Sequence, residues 1–293
     1  MTDYLLRATA ANHSVRAFVT QTKNLVQKAA SLHHTTPVAS AALGRTLTAG
    51  CMMGAMLKGE KDLVTLHIKG DGPLKGIMVT ADHRSHVKGY VYNSQVELPL
   101  NAMGKLDVGG AIGAGTLRVI QDIGLKEPYV GQIELISGEI AEDLTYYFAT
   151  SEQVPSAIAL GVLVDRDYSI RQAGGFMIQL MPDATEETIS MIEKKLQTLS
   201  SITSLFEKGQ TPEDILQYLL GDLGYSILEK REVQFECNCS KNRVEKALIS
   251  LGQKELEEII EEGKEIDLYC HFCNKHYTFA IDELQQLYNK AKK

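Results

Sequence analysis

Four of the five cysteines stand in two tight pairs near the C-terminus. Phe235-Glu236-Cys237-Asn238-Cys239-Ser240 supplies a Cys-x-Cys pair and Tyr269-Cys270-His271-Phe272-Cys273-Asn274 a Cys-x-x-Cys pair, with no other cysteine in the spacer. Zinc takes four thiolates in a tetrahedron, and two short pairs arriving from separate segments are a usual way to present them. One Zn2+ per chain in the thiol form is therefore expected, held by Cys237, Cys239, Cys270 and Cys273. The single residue between Cys237 and Cys239 keeps those sulfurs close on a tight tether. His271 and His276 adjoin the second pair and are alternative nitrogen ligands. The four cysteines are the preferred set, with His271 read as an exposed spacer and His276 as a strand residue.

Several elements must position those sulfurs. Ser240 stands as the N-cap of a helix running through Leu251 and stopped at Gly252, and Lys254 to Glu262 forms a second helix ended by Gly263. Ile266 to Tyr269 and Tyr277 to Phe279 read as strands around the second pair, with a last helix from Asp282. A unit of about sixty residues with few aromatics buries little core and needs a staple, and structural zinc supplies about 10–16 kcal/mol of folding free energy at neutral pH. Residues 232–293 are expected to form a zinc-binding domain that unfolds without its metal.

Upstream, Tyr4 to Thr9 and Ser14 to Thr20 flank Ala11-Asn12-His13 as a hairpin. Helical spacing begins near Thr22, and a second helix from Pro37 to about Leu57 carries the fifth cysteine, Cys51, read as a buried small hydrophobe. Strands follow at Val64 to Lys69, Gly76 to Ala81 and Val87 to Tyr92, the first two joined by Gly70-Asp71-Gly72-Pro73. The run from Gly109 to Gly115 superficially suits a phosphate loop. The strand-like Thr116 to Ile120 follows it, however, and the Lys-Ser/Thr ending is missing, so it reads as a flexible glycine connector. A strand at Val130 to Ile136, a helix at Glu139 to Phe148, and strands at Ala157 to Val164 and Ile170 to Leu180 complete an α+β core domain with antiparallel sheet over residues 1–181.

Residues 182–231 read as a helical linker. Glu186 and Glu187 occupy the first turn of a helix whose apolar stripe is Ile189, Ile192, Leu196, Leu199, Ile202 and Leu205. Thr211-Pro212-Glu213-Asp214 then supplies an N-cap, a proline at N1 and an acidic first turn ahead of Ile215, Leu216, Leu219 and Leu220. Both stripes are expected to pack on the first domain at rest. Uncovered, they would form an apolar surface suited to unfolded polypeptides, which makes Ile189, Ile192, Leu196, Leu199, Ile202, Leu205, Ile215 and Leu219 the candidate client-binding residues.

Four thiolates on one metal also make a redox trigger. Oxidants attack thiolates, and disulfide formation removes the donors that hold the metal, so oxidation and zinc loss become one event. A constitutive protein-binding module with a purely structural zinc would carry the same cysteines and is the alternative reading. Enzymatic activity is not expected, because four cysteines close the coordination shell and leave no position for a catalytic water. The scattered Ser, His and Asp residues form no catalytic motif, and no Cys-x-x-Cys opens a helix after a strand.

The composition of the 293-residue chain, 44% hydrophobic and 23% charged, is ordinary for a soluble globular protein with more than one domain. A net charge of -7, with ten basic against twelve acidic residues from Arg231 to Lys293, argues against a nucleic-acid partner. Asp3 and Arg7 interrupt the N-terminal apolar run, and stretches such as Ala157 to Val164 are too short to span a bilayer. A cytoplasmic location without membrane association is expected. In a reducing cytosol, clustered cysteines serve as metal ligands or redox sensors more often than as structural disulfides.

The cysteine spacing, at the end of a chain of this size, resembles the heat shock protein 33 family of redox-regulated holdase chaperones, also called 33 kDa chaperonins. His34-Thr35-Thr36-Pro37-Val38-Ala39 with Gly44-Arg45, the Gly70-Asp71-Gly72-Pro73 turn, Gly89-Tyr90-Val91 and Phe235 through Ser240 carry the same resemblance, which extends over essentially the whole chain. It implies an α+β core, a helical linker and a C-terminal zinc domain. It implies an inactive reduced, zinc-bound form, activation without ATP by peroxide under unfolding conditions or by hypochlorite, and an oxidised dimer. It also implies disulfides joining Cys237 with Cys239 and Cys270 with Cys273. Spacing alone leaves three connectivities open, with neighbours mildly favoured because pairing across the spacer requires both segments to stay together after the metal leaves.

Overall fold

The computed structural model describes residues 2–291. The chain divides into two compact units, one through Glu236 and the other from Cys237.

In chain order the first unit comprises β1 (Tyr4–Ala10), β2 (Val15–Gln21), α1 (Lys23–His33), α2 (Pro37–Gly54), β3 (Leu63–Gly70), β4 (Gly76–Asp82), β5 (His86–Val91), α3 (Val108–Ile112), β6 (Gly115–Asp122), β7 (Tyr129–Glu134), α4 (Ala141–Thr150), β8 (Ser156–Val164), β9 (Ile170–Leu180), α5 (Glu186–Thr198), α6 (Ile202–Glu207), α7 (Pro212–Leu220), β10 (Tyr225–Glu232) and β11 (Gln234–Phe235). The strands form a five-stranded sheet, β10-β1-β2-β9-β8, and a six-stranded sheet, β11-β5-β4-β3-β6-β7. All pairings in them are antiparallel except the short β11–β5 pair.

Helix α2 joins the two sheets, touching β8 and β9 of one and β4 and β5 of the other. Apart from Arg45, which pairs with Glu139, its sequence is apolar or small all round, as suits a helix covered on nearly every side. Gly44 permits the close approach: a Cβ there would meet Val26 and Val162 at 2.6 and 2.8 Å. Cys51 is fully buried on this helix, and burial pushes its thiol well above the usual thiol range.

The glycine run before β6 departs from the flexible connector expected of it. Val108–Ile112 forms the single-turn α3, whose start is capped by the Asp107 carboxylate accepting from the Gly110 N–H. The run is pinned, because the Gly72 N–H donates to the Ile112 carbonyl at 2.9 Å and a Cβ at Gly70 would sit 2.0 Å from that oxygen. Absence of side chains here serves contact between backbones.

The segment following β9 is where local pattern and structure diverge most. The stripe expected on one helix is divided: α5 ends at Thr198, Leu199 turns extended, and Ser201 starts α6 by accepting from the Ser204 N–H. Serine hydroxyls compete with the helix for backbone donors, which explains the break. Residues 225–231, read as the end of a helical linker, instead lie in β10, paired with β1 from Tyr4↔Glu232 to Ala10↔Tyr225. That strand is fixed by a partner more than two hundred residues away in sequence, which no local window sees.

All three helices of the segment lie on the five-stranded sheet. Ile192, Ile202, Ile215 and Leu219 are buried in a cluster with Leu6, Ala17, Val19, Phe176 and Ile178, while Leu196, Leu199 and Leu205 are partly buried against it and Ile189 is half-buried. A polar clasp reinforces the α7 end. The Tyr4 hydroxyl donates to the Glu213 carboxylate at 2.5 Å, the Lys230 ammonium donates to the other oxygen at 2.8 Å, and the same ammonium stands 4.0 Å from the centre of the Tyr4 ring.

The second unit contains α8 (Lys241–Leu251), α9 (Gln253–Glu261), β12 (Ile266–Tyr269), β13 (His276–Phe279) and α10 (Ile281–Lys290). Three helices and one hairpin bury Leu248, Leu256, Tyr277, Phe279, Leu284 and Leu287, with Cys239 and Cys270 packed against that cluster. The chain is thus an α+β protein with antiparallel sheets and a small C-terminal unit that carries the clustered cysteines. Among the described residues, no helix is long and apolar enough to cross a membrane.

The Glu213 clasp carries a pH dependence. Burial raises this carboxyl's pKa, but hydrogen bonds from Lys230 and Tyr4 outweigh it and hold the group below the usual glutamate range. The fold therefore favours the ionised form. Its contribution is complete above the ordinary glutamate pKa of about 4.3 and is lost as pH falls through the lower folded value. Chemical denaturation should show wild type more stable than Glu213→Gln by about 0.2–1 kcal/mol at pH 7, with the gap closing below about pH 4.

Candidate metal centre

Each cysteine pair is delivered by a short, well-defined piece of backbone. Cys239 directly precedes Ser240, whose hydroxyl accepts from the Arg243 N–H and caps α8. The second pair sits in the turn of the β12–β13 hairpin, just beyond its terminal rung Tyr269↔His276. There the Cys270 N–H donates to the Lys275 carbonyl at 3.0 Å, and the Cys270 carbonyl accepts from the N–H groups of Cys273 at 3.2 Å and Asn274 at 2.7 Å. Asn274 takes a left-handed conformation (φ 55°), which asparagine tolerates better than most residues.

These two pieces bring the four sulfurs together, all within 4.8 Å of one another. The Cys237 and Cys270 Sγ atoms are 3.7 Å apart and those of Cys239 and Cys273 are 3.4 Å apart. Four sulfurs bonded at about 2.3 Å to a tetrahedral ion would be separated by about 3.8 Å, so the arrangement fits a metal site. Neither His271 nor His276 joins the group. His276 is exposed on β13, its ring tilted by 38° against that of Tyr269 at 5.6 Å, and His271 is exposed.

The sulfurs are not equivalent. Burial pushes the Cys237 thiol above the usual thiol range, and burial is also the main reason that Cys273 is raised. Cys239 goes the other way: burial pushes it up, but hydrogen bonds from the Tyr277 hydroxyl and the neighbouring cysteines outweigh it and bring the thiol below its usual range. The Tyr277 Oη lies 3.1 Å from the Cys239 Sγ and donates to it. Sequence reasoning missed this partner, having taken Tyr277 as a strand residue only. The signal was the alternation of β13, buried at Tyr277 and Phe279 and exposed at His276 and Thr278, which turns the tyrosine toward the inside of the unit.

Comparison with known proteins agrees with this geometry. The family model described as Hsp33 protein matches residues 3–280. The chain belongs to the Hsp33 family. A 33 kDa chaperonin of Agathobacter rectalis is 56% identical over 287 residues, covering 98% of this chain and all of the relative. One from Clostridium perfringens is 51% identical over 295 residues, covering all of this chain and 93% of the relative. The crystal structure of a 33 kDa chaperonin (heat shock protein 33 homolog) from Thermotoga maritima superposes with a TM-score of 0.91 at 39% identity, and the match covers 100% of both chains. Relatives in the Hsp33 family are thus named as chaperones, and the resemblance first visible in the cysteines extends over the whole fold.

Loss of one sulfur should be felt far more than loss of an outer neighbour, whose removal typically costs 10- to 100-fold in metal affinity. Competition against a chromogenic chelator should show Cys273→Ser weakening metal binding by more than about 100-fold. Cys51→Ala should leave it unchanged.

Proposed function

We propose that the chain is a redox-regulated, ATP-independent holdase that binds unfolding proteins and prevents their aggregation under oxidative stress. The observation carrying this reading is the set of four sulfurs within 4.8 Å, in a compact unit with only a small core of its own, on a chain of a chaperone family. The proposed resident metal is one Zn2+, held by Cys237, Cys239, Cys270 and Cys273. Its contribution when bound is to keep four crowded sulfurs deprotonated and together.

Functionally, residues 1–181 would serve as the core, 182–231 as the responsive linker and 232–293 as the switch domain. In the reduced form the nominated client-binding side chains from Ile189 to Leu219 are largely covered by the five-stranded sheet, in keeping with an inactive resting state. Oxidation joins Cys237 to Cys239 and Cys270 to Cys273, withdraws all four donors and unfolds the switch domain. The 3.7 and 3.4 Å sulfur separations run across the pairs, but with all four sulfurs within 4.8 Å every partner is within reach, and the neighbour pairing rests on the family resemblance. Release of the linker helices then exposes apolar surface for clients, and the oxidised chain acts as a homodimer. The reading places the protein in the cytoplasm with unfolded polypeptides as partners, without nucleic-acid or membrane binding and without catalysis.

Peroxide with mild heating should release about one zinc per chain, consume four thiols and make the protein suppress aggregation of a chemically unfolded client. Unchanged aggregation with oxidised, zinc-free protein would sink the proposal. Equal suppression with and without oxidant would point instead to constitutive binding around a structural zinc.

A further inference from the structure

Tyr277 sets one member of the sulfur cluster apart. Its side chain is 6% exposed, held on the inner face of β13 beside Phe279, and its hydroxyl donates to the Cys239 sulfur at 3.1 Å. A hydroxyl buried at this position needs a partner, and the sulfur provides it. The contact is therefore built into the hairpin and is not an incidental surface encounter.

We propose that Tyr277 is a positioning residue of the redox switch, whose hydrogen bond makes Cys239 the slowest of the four cysteines to be oxidised and so directs the oxidant to the others. The inference rests on the zinc-held, oxidant-triggered reading above. When all four sulfurs are metal-held thiolates, protonation no longer separates them, and intrinsic nucleophilicity decides which reacts. A donor hydrogen bond draws electron density from sulfur and lowers that nucleophilicity.

The step itself is a two-electron oxidation by hydrogen peroxide. A thiolate attacks one peroxide oxygen, the S–O bond forms as the O–O bond breaks, and the leaving hydroxide takes a proton to become water. A second cysteine thiolate then attacks the sulfenic sulfur. The S–S bond forms, the S–O bond breaks and a second water results, so two thiolates have supplied the two electrons that reduce one peroxide. Tyr277 supplies neither electrons nor a proton in this sequence. Its part is to hold Cys239 back during the first attack.

The test uses the full-length, zinc-loaded chain. Under limiting hydrogen peroxide, capture of the first-formed sulfenic acids with dimedone followed by peptide mass spectrometry should find Cys239 the least labelled sulfur in wild type. Tyr277→Phe keeps the ring and its packing but removes the donor. It should raise the oxidation rate of Cys239 by about three- to tenfold, the scale of one hydrogen bond, and speed zinc release followed with a chromogenic chelator. Phe279→Leu perturbs the same small core without removing a hydrogen-bond donor, so any speeding it causes should not be confined to Cys239. If Tyr277→Phe behaved like Phe279→Leu, or like wild type, Tyr277 would be a packing residue only and the proposal would be overturned. If the wild-type chain kept its zinc under peroxide, the switch reading would fail and this inference with it, a result distinct from a switch that works identically with and without the hydroxyl.

Discussion

Four cysteine sulfurs crowded within 4.8 Å constitute an electrostatic problem that the second unit cannot solve with its own side chains. As thiolates they would repel at close range, and the side-chain donor the structure sets against them is the neutral hydroxyl of Tyr277. A bound cation resolves the repulsion and ties two distant segments at once. Because Cys239 and Cys270 also pack against the buried cluster around Leu256, Phe279 and Leu284, the sulfur cluster forms part of the wall of that core. Opening the cluster removes a charge balance and a packing surface together, which is why the unit's order and its sulfur chemistry are hard to separate.

The first unit depends on nothing of the kind. Its backbone hydrogen bonding continues to the residue before the first cysteine: Phe235 is buried, the Lys28 ammonium donates to its carbonyl, and the Glu236 N–H donates to Val87. Any signal passed along the chain from Cys237 to α7 must therefore cross β11 and β10, both of which are held in sheets. In the proposed switch these strands, and not a slack tether, set how much energy separates the covered helices from their exposed state.

Much of this was legible in the sequence because its causes are local. The cysteine pairs state their chemistry by residue type and spacing. Ser240, Thr211-Pro212 and Pro37 announce helix starts through capping and through the fixed φ of proline, and each stands where a helix begins. What local pattern could not supply was long-range pairing. Residues 225–232 join a largely apolar half to the charged run Glu229-Lys230-Arg231-Glu232, a pattern that suits an edge strand as well as an exposed helix, and only β1 decides between them. The break at Leu199 and the pinned glycines at 109–115 depend likewise on competing hydrogen bonds and backbone contacts that a periodicity cannot express. At the site, the cysteines were visible as a set, whereas Tyr277 became meaningful only once β13 had a defined inside.

The strand order β10-β1-β2-β9-β8 also bears on how the protein comes into being. β1 and β2 can close as a hairpin as soon as they are synthesised, but β2 waits for β9 and the outer edge of β1 waits for β10, on the far side of some two hundred residues of chain. Pairings so distant in sequence close slowly. During ribosomal synthesis a member of a chaperone family therefore passes through an interval in which its own sheet edge is open, the kind of edge on which other chains can assemble. β10 ends that interval only when the first cysteine pair is about to be made.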